Sequence, residues 1–233
     1  MVIGSFLHVV GERIPLHQSI VTPRSHCMGC KHPLKVFELI PVVSFCFLKG
    51  VCRRCVMHLP VLYPIIEIVT GVLFLMCWRK YAWSLEFIFI ALLCSFLVVT
   101  VVSDLLYMRI PHRIFFFFFP LFVIYRFLSP LSVWWSGMAG VVLCFLSFIC
   151  LDRLKPNSLG GADMKLFCVL AFCFGVEALP FLLFFSSACG IVYAKLFSYH
   201  KNEPFPFVPS ISIAVCFYIF SYDFFIKVVN WLL

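Results

Sequence analysis

Four cysteines fall in two tight pairs, Cys27-Met-Gly-Cys30 and Cys52-Arg-Arg-Cys55, separated by 21 residues. A Cys-x-x-Cys turn aims two sulfurs at one point, and two such turns complete a tetrahedral four-thiolate zinc site. Gly29 stands inside the first turn, and Arg53 and Arg54 inside the second. Basic neighbours favour the thiolate, which is the form that ligates metal. With every position filled by protein, such a site is closed and structural rather than catalytic. The alternatives are disulfides or idle thiols; a reducing compartment weighs against the former. His26, His32 and His58 flank the turns as surface or supporting groups. The nine remaining cysteines are scattered, mostly in apolar runs, where a free thiol behaves as a small hydrophobe.

The second chemistry lies in the carboxylates. Only ten acidic residues occur in the chain, and acids beside membrane-spanning segments are costly and often functional. Asp104 closes one apolar run, in Val102-Ser-Asp-Leu-Leu-Tyr-Met-Arg-Ile-Pro111, and Asp163 opens another, in Gly160-Gly-Ala-Asp-Met-Lys165. Two carboxylates sharing a site cannot both ionise cheaply, so the pair keeps one proton between them. That is what a water-activating aspartic peptidase requires, one carboxylate as base and one acid for the leaving amine. The competing reading is that each acid caps a helix end beside Lys or Arg. Glu67, inside an apolar run, is either functional or paired with a buried cation. Glu38, between the cysteine pairs, reads on its own as a surface acid.

These groups must be positioned by membrane helices. Of the 233 residues, 64% are apolar, 12% charged and 18% aromatic, including 30 Phe. Soluble domains average about 45–50% apolar and about 25% charged. The balance excludes a disordered chain, a nucleic-acid-binding domain and an ordinary soluble enzyme, so the net charge of +8 records loop orientation instead of a polyanionic partner. A span takes roughly 20 apolar residues. Val61–Trp78, Leu85–Ser103, Ile114–Leu128, Val133–Leu151 and Val208–Leu233 each supply one. Leu166–Phe197 holds two shorter helices turning near Val176–Pro180. The expected domains are therefore 1–10, the end of a first transmembrane helix whose start is missing here; 11–59, a cytoplasmic zinc-binding domain; and 60–233, a transmembrane core. The fold class is an all-α polytopic membrane protein of about eight transmembrane helices, the first incomplete.

Placing loop 11–59 in the cytoplasm and alternating leaves only Arg79, Lys80, Arg126 and Lys227 outside, of 18 Lys and Arg. That satisfies the positive-inside bias. Asp104 and Asp163 are separated by an out-and-back helix pair, so both fall on the cytoplasmic face.

At these residues the sequence resembles the type IV prepilin peptidases, membrane aspartic peptidases that also N-methylate their product. The resemblance runs almost end to end: Gly4-Ser-Phe-Leu-His-Val-Val10, Arg13-Ile-Pro15, Pro23-Arg-Ser-His-Cys-Met-Gly-Cys30, Glu38-Leu-Ile-Pro41, Lys49-Gly-Val-Cys-Arg-Arg-Cys55 and Tyr63-Pro-Ile-Ile-Glu-Ile-Val-Thr-Gly71. Asp104 with Ile110-Pro111, Gly161-Ala-Asp-Met-Lys165 and Pro204-Phe-Pro-Phe-Val-Pro209 continue it. It is most similar to the Gram-positive late-competence branch. The resemblance implies catalytic Asp104 and Asp163, a structural zinc ion on Cys27, Cys30, Cys52 and Cys55, and prepilin or pseudopilin substrates cleaved at the cytoplasmic membrane face. It also implies methylation of the new N-terminus from S-adenosylmethionine. The donor site is expected between the zinc domain and the membrane face, with Glu38 or Glu67 contributing. The remaining readings are a leader peptidase without methylation, a non-enzymatic zinc-domain scaffold indifferent to Asp→Asn changes, and a cation transporter, which would carry its acids at mid-bilayer.

Overall fold

The computed structural model describes residues 1–27, 29–34, 36–55, 57–154, 160–196 and 205–232, without the side chains of Val36 and of 222–232. Lys35, Lys155, Lys201 and Pro204 lie outside the described residues. The described chain is helical, with two isolated β-bridges and no strand. The helices are α1 (Val2–Arg13), α2 (Val43–Phe47), α3 (Leu62–Tyr81), α4 (Leu85–Tyr107), α5 (His112–Leu128), α6 (Ser136–Leu154), α7 (Gly161–Phe174), α8 (Ala178–Leu196) and α9 (Val208–Leu232); a single 3₁₀ turn covers Val36–Leu39. Among the described residues, α3, α4, α6 and α8 are long and apolar enough to cross a bilayer.

The chain forms two compact units. Met1–Tyr107 and Pro111–Ile114 make the first, Met108–Ile110 and Phe115–Leu233 the second.

In the first unit, α1, α3 and α4 pack on one another. The buried positions of α1 are Gly4, Leu7, His8, Val10 and Gly11, a stripe with helical period. Two glycines set how closely it approaches. A Cβ on Gly4 would lie 2.9 Å from Thr70 Cβ, and one on Gly11 would lie 2.8 Å from Val102 Cβ and 2.9 Å from the Val99 carbonyl. Small residues that bring backbones together are how membrane helices gain contact where lipid gives no hydrophobic drive. The opposite face of α1 leaves Val2, Ile3 and Phe6 exposed. The central helix is α4: 56% of its apolar window is buried, against 28% for α3 and 22% for α6 and α8. The outward apolar surface on those three suits lipid.

In the second unit α6 packs on α7, α7 on α8 and α8 on α9. Gly137 and Gly140 lie against the carbonyls of Phe172 and Ala171. Gly175 breaks the long apolar run between α7 and α8 at φ +85°, a left-handed conformation that glycine adopts without a Cβ clash. Ser136 Oγ accepts the Val176 N–H at 3.1 Å and closes that turn. Pro180 falls in the first turn of α8, where its missing N–H has no intrahelical acceptor to lose. In α5, Phe116 and Phe117 of the phenylalanine run are exposed while Ile114, Phe118 and Phe122 are buried. The run is therefore both packed and lipid-facing, split by helical periodicity.

Candidate metal centre and adjoining cavity

The two cysteine pairs sit in matching small loops of the first unit. In one, the Cys27 N–H donates to His32 O at 3.0 Å, the Lys31 N–H to Cys27 O at 2.9 Å and the Leu34 N–H to Ser25 O at 2.9 Å. In the other, the Cys52 N–H donates to Met57 O at 2.9 Å and the Leu59 N–H to Gly50 O at 2.8 Å. Each loop is closed by one β-bridge, His26 with Pro33 and Val51 with His58. Gly50 supplies a left-handed bend at φ +70°, beside the Phe45 ring. Gly29 leaves room for the other loop, since a Cβ there would lie 2.7 Å from Met57 Sδ and 3.4 Å from Cys55 Sγ.

The four sulfurs of Cys27, Cys30, Cys52 and Cys55 lie within 4.8 Å of one another. Cys27 Sγ is 3.6 Å from Cys55 Sγ, and Cys30 Sγ is 4.0 Å from Cys52 Sγ. A tetrahedral zinc ion with bonds of about 2.3 Å sets its sulfurs about 3.8 Å apart. All four cysteines are free thiols, so the disulfide alternative does not describe this arrangement. Cys27 and Cys52 are buried, Cys30 and Cys55 exposed. Amide hydrogen bonds from Cys30 and Gly29 hold the Cys27 thiol down, at about 6. The set can hold a metal ion.

Against this module lies a cavity of about 430 Å³, within the usual range of about 300–1,000 Å³ for small-molecule sites. Its lining includes the buried thiols Cys27 and Cys52 and both acids expected near a donor site, Glu38 and Glu67. Glu67 is 7% exposed, and its Oε2 accepts the Val42 N–H at 2.8 Å. Glu38 is half-buried on the 3₁₀ turn. Three further lining residues escaped the sequence reading: Glu12, Tyr63 and Tyr107. The Tyr63 hydroxyl donates to Glu12 Oε2 at 3.2 Å, and the His8 ring lies on Tyr63 with centroids 4.1 Å apart. His8 and Glu12 are four residues apart on α1 and so share a face; that spacing was the available signal. Arg13 also lines the cavity, and its Nη1 donates to the carbonyls of Ser19, Ile20 and Pro23.

Asp104 belongs to the first unit, near the C-terminal end of α4, and is 8% exposed. Asp163 belongs to the second unit, in the first turn of α7, and is half-buried. A carboxylate there is favoured by the positive end of the helix dipole. Gly160 stands close to it, and a Cβ there would lie 2.8 Å from Asp163 Oδ2, so the carboxylate would have to shift. Gly161 has open space instead.

The model of the Bacterial Peptidase A24 N-terminal domain matches residues 1–81, and that of the Type IV leader peptidase family matches residues 91–195. A prepilin leader peptidase/N-methyltransferase of Bacillus subtilis is 38% identical over 91% of this chain and 87% of its own. The chain belongs to the type IV leader peptidase family. Proteins with the same description from Myxococcus xanthus and Neisseria gonorrhoeae are 33% and 27% identical, over 83% and 99% of this chain and 59% and 91% of theirs. No solved structure matches. Within the family frame, the first matched stretch carries the four cysteines, Glu38 and Glu67, and the second carries Asp104 and Asp163.

Proposed function

We propose that the protein removes the leader peptide of type IV prepilins or pseudopilins and then methylates the new N-terminus. The observation that carries the peptidase half is that Asp104 and Asp163, at opposite ends of two apolar helices, both fall inside the stretch matched by the leader peptidase family. In this reading the two carboxylates share one proton. The ionised one takes a proton from water, whose oxygen attacks the scissile carbonyl carbon. The protonated one delivers its proton to the amine as the C–N bond breaks, and the pair returns to its starting charge. No covalent enzyme intermediate forms. In this reading α5 and α6 run out and back between the aspartates, and the scissile bond is met at the cytoplasmic membrane face, the side that the basic loops would mark.

The Cys₄ set fits zinc, which would act as a structural cross-link between the two loops. The methyltransferase half rests on the descriptions of the relatives and on the cavity. S-adenosylmethionine would supply the methyl group there, with Glu38 and Glu67 in the wall beside Glu12, Tyr63 and Tyr107. Three carboxylates and two aromatic faces suit a ligand carrying a positive charge.

The test is coexpression with a tagged pseudopilin and mass spectrometry of the product, comparing the unaltered chain with Asp104→Asn and Asp163→Asn. Leader loss that disappears in both variants supports the dyad, and cleavage persisting in both would sink it. A product heavier by one methyl group supports the second activity. Intact substrate in every case would favour the scaffold reading.

A further inference from the structure

Glu67 and Val42 lie 25 residues apart and meet through one hydrogen bond. Val42 is a β-branched residue at φ +63°, a conformation that side chains of this kind essentially avoid. Such backbone survives only where its surroundings over-determine it, and it gathers at functional sites. Three contacts hold it here. Glu67 Oε2 accepts the Val42 N–H at 2.8 Å, the Val43 N–H reaches the Pro41 carbonyl at 2.6 Å, and the Val42 carbonyl accepts the Cys46 N–H at 3.0 Å. Two of these are local. The third ties this turn to α3, and its acceptor is a carboxylate buried to 7% exposure. Four residues upstream of Val42, on the 3₁₀ turn, stands Glu38 in the cavity wall.

From this we infer that Glu67 is a positioning residue for methyl transfer, clamping the Glu38–Val42 turn over the cavity through the Val42 amide. The inference rests on the proposed methyltransferase reading and changes the part Glu67 plays in it. A carboxylate that spends an oxygen on a strained backbone amide holds the wall, and Glu38 is the acid that the clamp presents to the ligand. A charged acceptor makes the stronger hydrogen bond to an amide, which explains a carboxylate at a depth where acids are rare.

The test uses the full chain with its metal in lipid nanodiscs and compares Glu67→Ala, Glu67→Gln, Val42→Gly and Glu67→Ala/Val42→Gly. Amide hydrogen exchange across 38–46 and the KM for S-adenosylmethionine are both read. Loss of one charge-assisted hydrogen bond raises exchange at Val42 and the KM in Glu67→Ala by about tenfold or more. Glu67→Gln, whose amide oxygen still accepts, restores most of both. Val42→Gly removes the backbone strain, so the double variant binds donor better than Glu67→Ala alone. A Glu67→Gln variant as impaired as Glu67→Ala would overturn the clamp, because charge toward the ligand would then be what matters. Unchanged exchange in Glu67→Ala would overturn it equally. If the unaltered chain transfers no methyl group, the functional reading fails, while the exchange data still decide the clamp.

Discussion

The Cys₄ module and the α1–α3–α4 helices share one compact unit, yet different forces hold them. In the helices, Leu93, Phe96, Val99 and Val102 are fully buried, and glycines let α1 press against its neighbours. Between residues 14 and 60, the buried apolar side chains among the described residues are Cys27 and Cys52 alone, while Val21, Phe37 and Phe47 stay largely exposed. The helices have a core made of many small contacts. The module has two buried thiols, Cys27 and Cys52, in a cluster of four, and a segment with so little buried area needs a cross-link or a metal to stay ordered. The difference teaches that the two should fail separately and by different insults.

The largest effect should come from the metal centre. Zinc binding to such sites is worth about 10–16 kcal/mol in small domains, so Cys27→Ser or Cys52→Ser should lose the metal and open residues 14–60 to protease. Helical circular dichroism should fall little, because the module contributes one five-residue helix and one 3₁₀ turn. Metal content, limited proteolysis and far-ultraviolet spectra report all three, and a collapse of helix content would break the comparison.

Next come the aspartates. Removing a general acid or base lowers rates on the order of 10²–10⁴-fold, so Asp104→Asn and Asp163→Asn should each reduce leader cleavage to that extent. Metal content should stay intact, since neither residue is among the four clustered thiols. A variant that lost metal along with cleavage would mean that the module and the carboxylates are not independent.

The smallest effects sharpen the helix side. Gly11→Ala places a methyl against the Val99 carbonyl and Val102, and overpacking of this kind costs about 1–3 kcal/mol. Gly161→Ala meets nothing within 4 Å and lies in α7 without a positive φ. It should be neutral or stabilising by about 0.4–1 kcal/mol. Thermal unfolding in detergent separates the two. Equal melting temperatures would remove close approach as the reason for Gly11.

Much of this was legible in the residues. The boundaries of α3, α4, α6 and α8 follow the apolar runs to within a few residues, and these are the helices long enough to cross a bilayer; α7, at 14 residues, is shorter than a span. The turn near Val176–Pro180 appears at Gly175–Glu177, for the backbone reason that glycine announces. The four clustered thiols were named by spacing, since each Cys-x-x-Cys is a local turn. Glu38 was harder: its neighbours in sequence are those of a loop, and its place in a cavity wall depends on where the whole turn docks. Glu12 carried no motif, and Tyr63 opened one without a stated role. Their hydrogen bond joins helices 51 residues apart, and no periodicity encodes such a pair.

The sequence by itself determined the properties that are local or compositional. These are the membrane environment, the length and order of the helices, the thiols poised in pairs, and the two aspartates at helix ends. Tertiary structure alone decided which thiols are buried, which glycines mark a close approach, what lines the cavity, and that a carboxylate on α3 reaches a strained amide beyond the 3₁₀ turn. The physical reason is the range of the interactions. Turn geometry and apolar length are set by neighbours a few residues apart, whereas burial and hydrogen bonding across 25 or 51 residues exist only once the helices have packed.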